Sequence, residues 1–107
     1  MKFKQVKIHP GTYSIQYPTN NAGSPHGETD TDSRVISIYF SNDMDLYRDT
    51  LLHEILHALL SEIHYFQNDD IEEDFVRRMT PRLLAFLQDN PKITKWLVNE
   101  KEKSKKP

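Results

Sequence analysis

Residues 53–57 read His-Glu-Ile-Leu-His, two imidazoles four positions apart with a carboxylate directly after the first. On an α-helix, residues at that spacing stand one above the other with about 6 Å of rise, so both rings can converge on one ion from a rigid support. Imidazole nitrogen suits Zn²⁺, and a catalytic zinc site takes three protein ligands and keeps a further position open for water. Glu54 is then placed to reach that water rather than the metal. Zinc brings the pKa of such a water toward about 7 and a carboxylate accepts its proton, which yields a nucleophile for a carbonyl carbon polarised by the same ion. The flanks sharpen the pattern, because Thr50 to Leu60 carries no charge other than Glu54. Both imidazoles therefore ride the edge of an apolar helix face, where an unpaired polar group is costly and metal ligation removes the cost.

A third ligand must come from elsewhere. A metzincin would require Gly and His where this chain has Leu60 and Ile63, so that pattern is excluded. His64 shares the face of His57 but stands about 10.5 Å further along the axis, beyond a common coordination sphere. The acidic run Glu72-Glu73-Asp74 opens the next helix after a short connection, and an antiparallel neighbour could return one of its carboxylates to the ion. Helical phase sets Glu72 between Val76 and Met79, inside an apolar stripe, and Glu73 at its edge beside Val76. Both remain candidates on this ground.

The elements that must hold these residues follow from period and punctuation. Phe3, Val6 and Ile8 make an imperfect strand, His9-Pro10-Gly11 a turn, and Tyr13, Ile15 and Tyr17 a second strand by alternation. Pro18 to Ser33 has no apolar period and reads as a long exposed loop. Val35 to Phe40 is the clearest strand signal, with Ile36, Ile38 and Phe40 on one face. Ser41, Asn42 and Asp43 then offer acceptors for a helix beginning near Met44 and ending between His64 and Asn68, with Leu52, Ile55, Leu56, Leu59 and Ile63 as its core-facing stripe. A second helix is expected from Ile71 to Met79. Thr80-Pro81 reads as the start of a third bearing Leu83, Leu84, Phe86 and Leu87, and Asn90-Pro91 as the start of a last short one with Ile93, Trp96 and Leu97. The expectation is an α+β fold, with a small antiparallel or mixed N-terminal sheet packed on the motif helix and two or three short C-terminal helices after it. Residues 1–100 are expected to form a single minimal domain and residues 101–107 a flexible lysine-rich tail.

Composition narrows the function classes. The chain has 107 residues, a formal charge of −2 and no cysteine, which removes disulfides, thiolate metal sites and a cysteine nucleophile together. Any metal is left to nitrogen and oxygen ligands. No apolar run approaches the roughly 20 residues needed to cross a bilayer, and the first residues lack the apolar core of a secretory signal, so a cytoplasmic protein without a membrane partner is expected. Lys92 to Pro107 holds six Lys against two Glu, without interleaved aromatics, and reads as a solvated end rather than a nucleic-acid arm. Composition assigns no oligomeric state.

On the block TLLHEILHALL, the preceding strand RVISIYF and the following EEDFVRRM with the later DNP, residues 34 to 91 resemble the gluzincin zinc peptidases. The similarity is to their smallest members, the minigluzincins, the ImmA/IrrE-type repressor proteases and short phage-encoded proteins like them. The resemblance implies His53 and His57 as zinc ligands, Glu54 as general base and Glu73 as third ligand, with Glu72 as the alternative. Aligning Glu73 with the start of the ImmA/IrrE-type pattern E-x-x-A-N-x-F-A puts Arg77 where Asn or Asp is usual. It also implies a substrate cleft along the strand before the motif helix, Val35 to Phe40, and an oxyanion-stabilising Tyr for which Tyr39, Tyr47 and Tyr65 are candidates. The activity so implied is zinc-dependent hydrolysis of a protein or peptide substrate. Two alternatives stand beside it, a zinc-stabilised binding or assembly module that hydrolyses nothing and a DNA-associated protease of the SprT type.

Overall fold

The computed structural model of the chain describes residues 1–19 and 26–99. Among the described residues, four strands come first, β1 (Gln5–Ile8), β2 (Gly11–Gln16), β3 (Gly27–Asp30) and β4 (Val35–Ile38), and three helices follow, α1 (Met44–Ile63), α2 (Asp69–Asp89) and α3 (Pro91–Val98). The sheet order is β1-β2-β4-β3. β1 and β2 form an antiparallel hairpin, β2 runs parallel to β4, and β3 pairs antiparallel with β4. The fold is therefore α+β, a mixed sheet packed on the helix that carries His53 and His57, with two further helices behind it.

Alternation builds the core. Ile8, Tyr13, Ile15, Ile36 and Ile38 point to one side of the sheet and are buried there against Tyr47 and Ala58 of α1, with Leu51 and Ile55 at the margin. Asp43 caps α1, its Oδ1 accepting the backbone N–H groups of Asp45 at 3.0 Å and Leu46 at 3.3 Å. Asn68 does the same for α2, accepting from Asp70 at 2.8 Å and Ile71 at 3.1 Å. Each cap satisfies donors that the first helical turn leaves without partners.

Four expectations are corrected. Within the stretch read as loop, Gly27–Asp30 is a strand, and Asp30 Oδ1 accepts from Asp32 and Ser33 N–H at 3.0 and 3.1 Å to close the hairpin into β4. Residues 20–25 of that loop and the lysine-rich tail lie outside the described residues. β4 is an interior strand between β2 and β3, so the sheet edge beside α1 belongs to β3 rather than to Val35 to Phe40. The buried side of α1 is Tyr47, Thr50, Glu54 and Ala58, whereas Leu59 and Ile63 are exposed. Small Ala58 on that side fits a tight contact with the sheet. Finally, Thr80-Pro81 does not start a helix: α2 runs through it for 21 residues. Thr80 is buried and turns its hydroxyl back onto the Val76 carbonyl at 2.7 Å instead of capping, and Pro81 sits on the exposed side of the helix.

Candidate metal centre

α1 supplies two imidazoles from successive turns, and α2 returns antiparallel with its acidic first turns against them. Glu73 Oε1 lies 2.9 Å from His53 Nε2 and 2.9 Å from His57 Nε2. The three donor atoms fall within 4.8 Å of one another. A tetrahedral Zn²⁺ with bonds of about 2.0–2.1 Å sets its donors about 3.4 Å apart, so two nitrogens and one oxygen converging this closely fit such an ion. The cluster is consistent with a zinc-binding motif of the His-Glu-x-x-His type.

Glu72 takes a different place from Glu73. Its Oε2 lies 2.7 Å from Nδ1 of His57, on the far side of the ring from the cluster. If Nδ1–H donates to Glu72, the Nε2 lone pair is left facing Glu73 and His53, which is the tautomer a metal requires. Arg77, at the position where the resembled pattern has Asn or Asp, instead donates to Asp74 and is exposed. Orientation of His57 comes from the residue before Glu73, not from one after it.

Glu54 faces the sheet, with only 6% of its surface exposed. Thr29 Oγ1, on β3, lies 2.8 Å from Glu54 Oε1 and 3.0 Å from the Glu54 backbone carbonyl. Gly27 lies two residues back on the same strand, and a Cβ there would come within 2.9 Å of the Ser37 carbonyl and 3.3 Å of Glu54 Cγ. The tightest of these contacts is with backbone, so the close approach of β3 to β4 at Ser37 favours glycine there, with Ile38 and Glu54 crowding the same space.

Burial pushes the Glu54 carboxyl above its ordinary value, and the Thr29 bond with the two neighbouring histidines offsets this only in part. For His57, burial pulls downward, but the bonds to Glu72 and Glu73 outweigh it and hold the ring above the usual 6.5. Burial likewise lifts Glu73, and the bonds from His57 and His53 more than reverse this, leaving it below the usual 4.5. Opposed shifts on adjacent groups are typical of sites that move protons or bind ions.

Two clefts meet at the cluster. The larger, about 630 Å³, runs between β3 and the start of α2 past Glu54, His57 and Glu73. The smaller, about 360 Å³, opens on the His53 side past His26, Asp49 and Thr50. None of Tyr39, Tyr47 and Tyr65 lines either cleft. Tyr47 is in the core with its hydroxyl 2.9 Å from that of Tyr17. His64 ends α1 in a left-handed conformation, φ 52°, and reaches the larger cleft without joining the cluster.

Sequence reasoning brought His53, Glu54, His57, Glu72 and Glu73 forward and missed Thr29 and Gly27. The strand GETD that carries them has no apolar alternation, and the only local signal is a glycine and a β-branched residue at strand spacing. Comparison of the chain with protein-family models, with curated proteins and with solved structures finds no match.

Proposed function

We propose that the chain is a zinc-dependent peptidase of the gluzincin kind that hydrolyses a peptide bond in a protein or peptide substrate. The observation that carries this reading is the convergence of His53, His57 and Glu73 within 4.8 Å beside buried Glu54. In it, His53, His57 and Glu73 hold the ion. Zn²⁺ held by these residues would supply Lewis-acid chemistry to a water and to the substrate carbonyl. Glu54 is placed to take a proton from the attacking water and return it to the departing amine, a task suited to a carboxyl whose burial raises its affinity for protons. Thr29 holds one oxygen of Glu54 so that the other can face the reacting atoms. Glu72 keeps His57 in the ligating tautomer through Nδ1.

Substrate geometry follows from β3. As an edge strand bordering the larger cleft, it offers backbone groups to an extended peptide added beside it, which supplies affinity without demanding particular side chains. No described helix is long and apolar enough to cross a membrane. A cytoplasmic setting and a single minimal domain over residues 1–100 belong to the same proposal.

Replacing Glu54 by Gln tests the reading. We expect hydrolysis of a mixed peptide substrate to fall by about 10²–10⁴-fold while zinc content and melting temperature hold. Full activity in Glu54→Gln overturns the mechanism. A wild-type protein that binds zinc, unfolds without it and hydrolyses nothing would instead be the zinc-stabilised binding module.

A further inference from the structure

Among the described residues, α3 is the one helix with no buried side chain. Ile93, Trp96 and Leu97 stand three and four positions apart on one face of it, and each leaves more than half of its surface in water. Helical phase puts Lys92 at the border of that face and Lys95 behind it. Polar bonds fix the helix to the end of α2, the Thr94 hydroxyl lying 2.8 Å from the Asn90 carbonyl and 3.3 Å from that of Leu87. Eight residues are too few to hold a helix in water by propensity alone, so whatever covers this face also stabilises the helix. Charge is divided along the chain in the same sense. By sequence, residues from Arg77 onward carry nine Lys and Arg against three Asp and Glu, and the part before them five against thirteen. We propose that α3 is a membrane-surface helix, which sets Ile93, Trp96 and Leu97 into the headgroup layer of an anionic lipid surface while the basic part of the chain is held by its charge. The proposal goes beyond the peptidase reading and does not depend on it. Contact of this kind needs no spanning helix, and none of the described helices is one. It departs from the sequence-based expectation of no membrane partner.

The pairing of basic charge with an uncovered apolar face selects lipid among the anionic partners. Charge alone would suit nucleic acid, but a phosphate backbone offers nothing to Ile93 and Leu97. α3 lines neither cleft at the metal centre nor the apolar groove beside Phe75, so a protein partner would have to bring the hollow that fits it. A lipid surface yields around a convex face. A second copy would bring like charges together, because each basic part has a formal charge of +6. Tryptophan suits the headgroup layer, with an apolar ring and a polar N–H, and Lys92 can lay its stem along that layer while its ammonium reaches the phosphates. The acidic part, which includes the metal centre, is repelled by the same surface, and this fixes orientation as well as attachment. From Glu73 to Asp89, α2 sets about 24 Å of helix between the metal centre and α3, so both clefts stay open in the bound state.

The test uses zinc-loaded full-length protein with vesicles of phosphatidylcholine alone or with added phosphatidylserine, bound protein being measured by co-sedimentation. Trp96 is the only tryptophan of the chain, so its emission reports on α3 directly. Binding to the phosphatidylserine vesicles should be at least about tenfold tighter than to neutral ones, should shift Trp96 emission to the blue, and should lose most of its preference at high salt. Ile93→Gln with Leu97→Gln, and separately Lys92→Gln with Lys95→Gln, should each weaken it at least about fivefold while zinc content and melting temperature hold. No binding to either vesicle, equal binding to both, binding without a Trp96 shift, or binding that survives the Ile93 and Leu97 pair overturns the inference and leaves the peptidase reading intact. A blue shift produced without lipid by raising protein concentration overturns it in favour of a second copy. One produced by duplex DNA or poly-glutamate but not by vesicles overturns it in favour of another polyanion. If the Ile93 and Leu97 pair fails to fold, the lipid preference, its salt dependence and the Trp96 shift of the wild type decide.

Discussion

The sheet with α1 and the helices after it are built on opposite terms. In the first region Ile8, Tyr13, Ile36, Ile38 and Ala58 are each no more than 2% exposed, a packed core under the helix of the two histidines. In the second, only Val76 and Thr80 are buried, while Phe86, Ile93, Trp96 and Leu97 each leave more than two-fifths of their surface in water, Leu97 as much as 61%. The first region is therefore a rigid mount for His53, Glu54 and His57. α2 reaches that mount through a small apolar contact around Val76 and through the bonds of Glu72 and Glu73 to the histidines. Part of what docks α2 is the site itself, so site chemistry and α2 attachment are coupled.

Truncation should separate the two regions most strongly. Ile36→Ala or Ile38→Ala removes a fully buried side chain and is expected to cost about 2–5 kcal/mol in denaturant unfolding. Phe86→Ala or Leu97→Ala should stay within about 0.5 kcal/mol, as exposed positions do. Comparable losses in both sets would break the contrast and mean that the outer helices are packed in solution. Val76→Ala, at the one apolar anchor of α2, should cost about 2 kcal/mol and weaken zinc binding together with stability.

A smaller effect sharpens the coupling through pH. In metal-free protein the His57–Glu73 contact is strongest when His57 is protonated and Glu73 ionised. Because His57 is raised, its share is whole below 6.5 and is lost as pH rises through the elevated value. Because Glu73 is lowered, its share is whole above 4.5 and is lost as pH falls through the depressed value. Glu73→Gln should therefore destabilise metal-free protein most between pH 4.5 and 6.5 and progressively less on either side. Glu73 is half exposed, so solvent screening limits the effect to about 1 kcal/mol or less. A penalty that does not vary with pH would remove the ionic contact from the account of how α2 is held.

What could be read from the chain was what local chemistry decides. The start of α1 at Met44 follows from Asp43, the break at Asn90-Pro91 from proline at a first helical position, and β4 from its β-branched alternation. The histidine pair was legible because helix geometry alone converts a spacing of four into a shared face. What escaped depends on contacts distant in sequence. GETD becomes a strand only by pairing with β4 and lying against Glu54, and neither partner is visible in four mostly polar residues. The sheet selects the buried side of α1, preferring the face with Thr50, Glu54 and Ala58 over the more apolar stripe of Leu59 and Ile63. Proline at 81 looked like a boundary because a helix ordinarily ends there, but burial of Thr80 and Val76 carries α2 through it. The spacing left Glu72 and Glu73 as alternatives, and in the folded chain they occupy opposite sides of one imidazole.

Whether α1 and α2 together form a metal site is decided by titrating metal-free protein with Zn²⁺ against a competing chelator. One tight equivalent per chain is expected, weakened at least about a hundredfold by His53→Ala or Glu73→Ala and about 10–100-fold by Glu72→Gln, whose loss leaves His57 unoriented. Zinc binding no tighter in wild type than in His53→Ala, in variants that remain folded, would contradict that expectation.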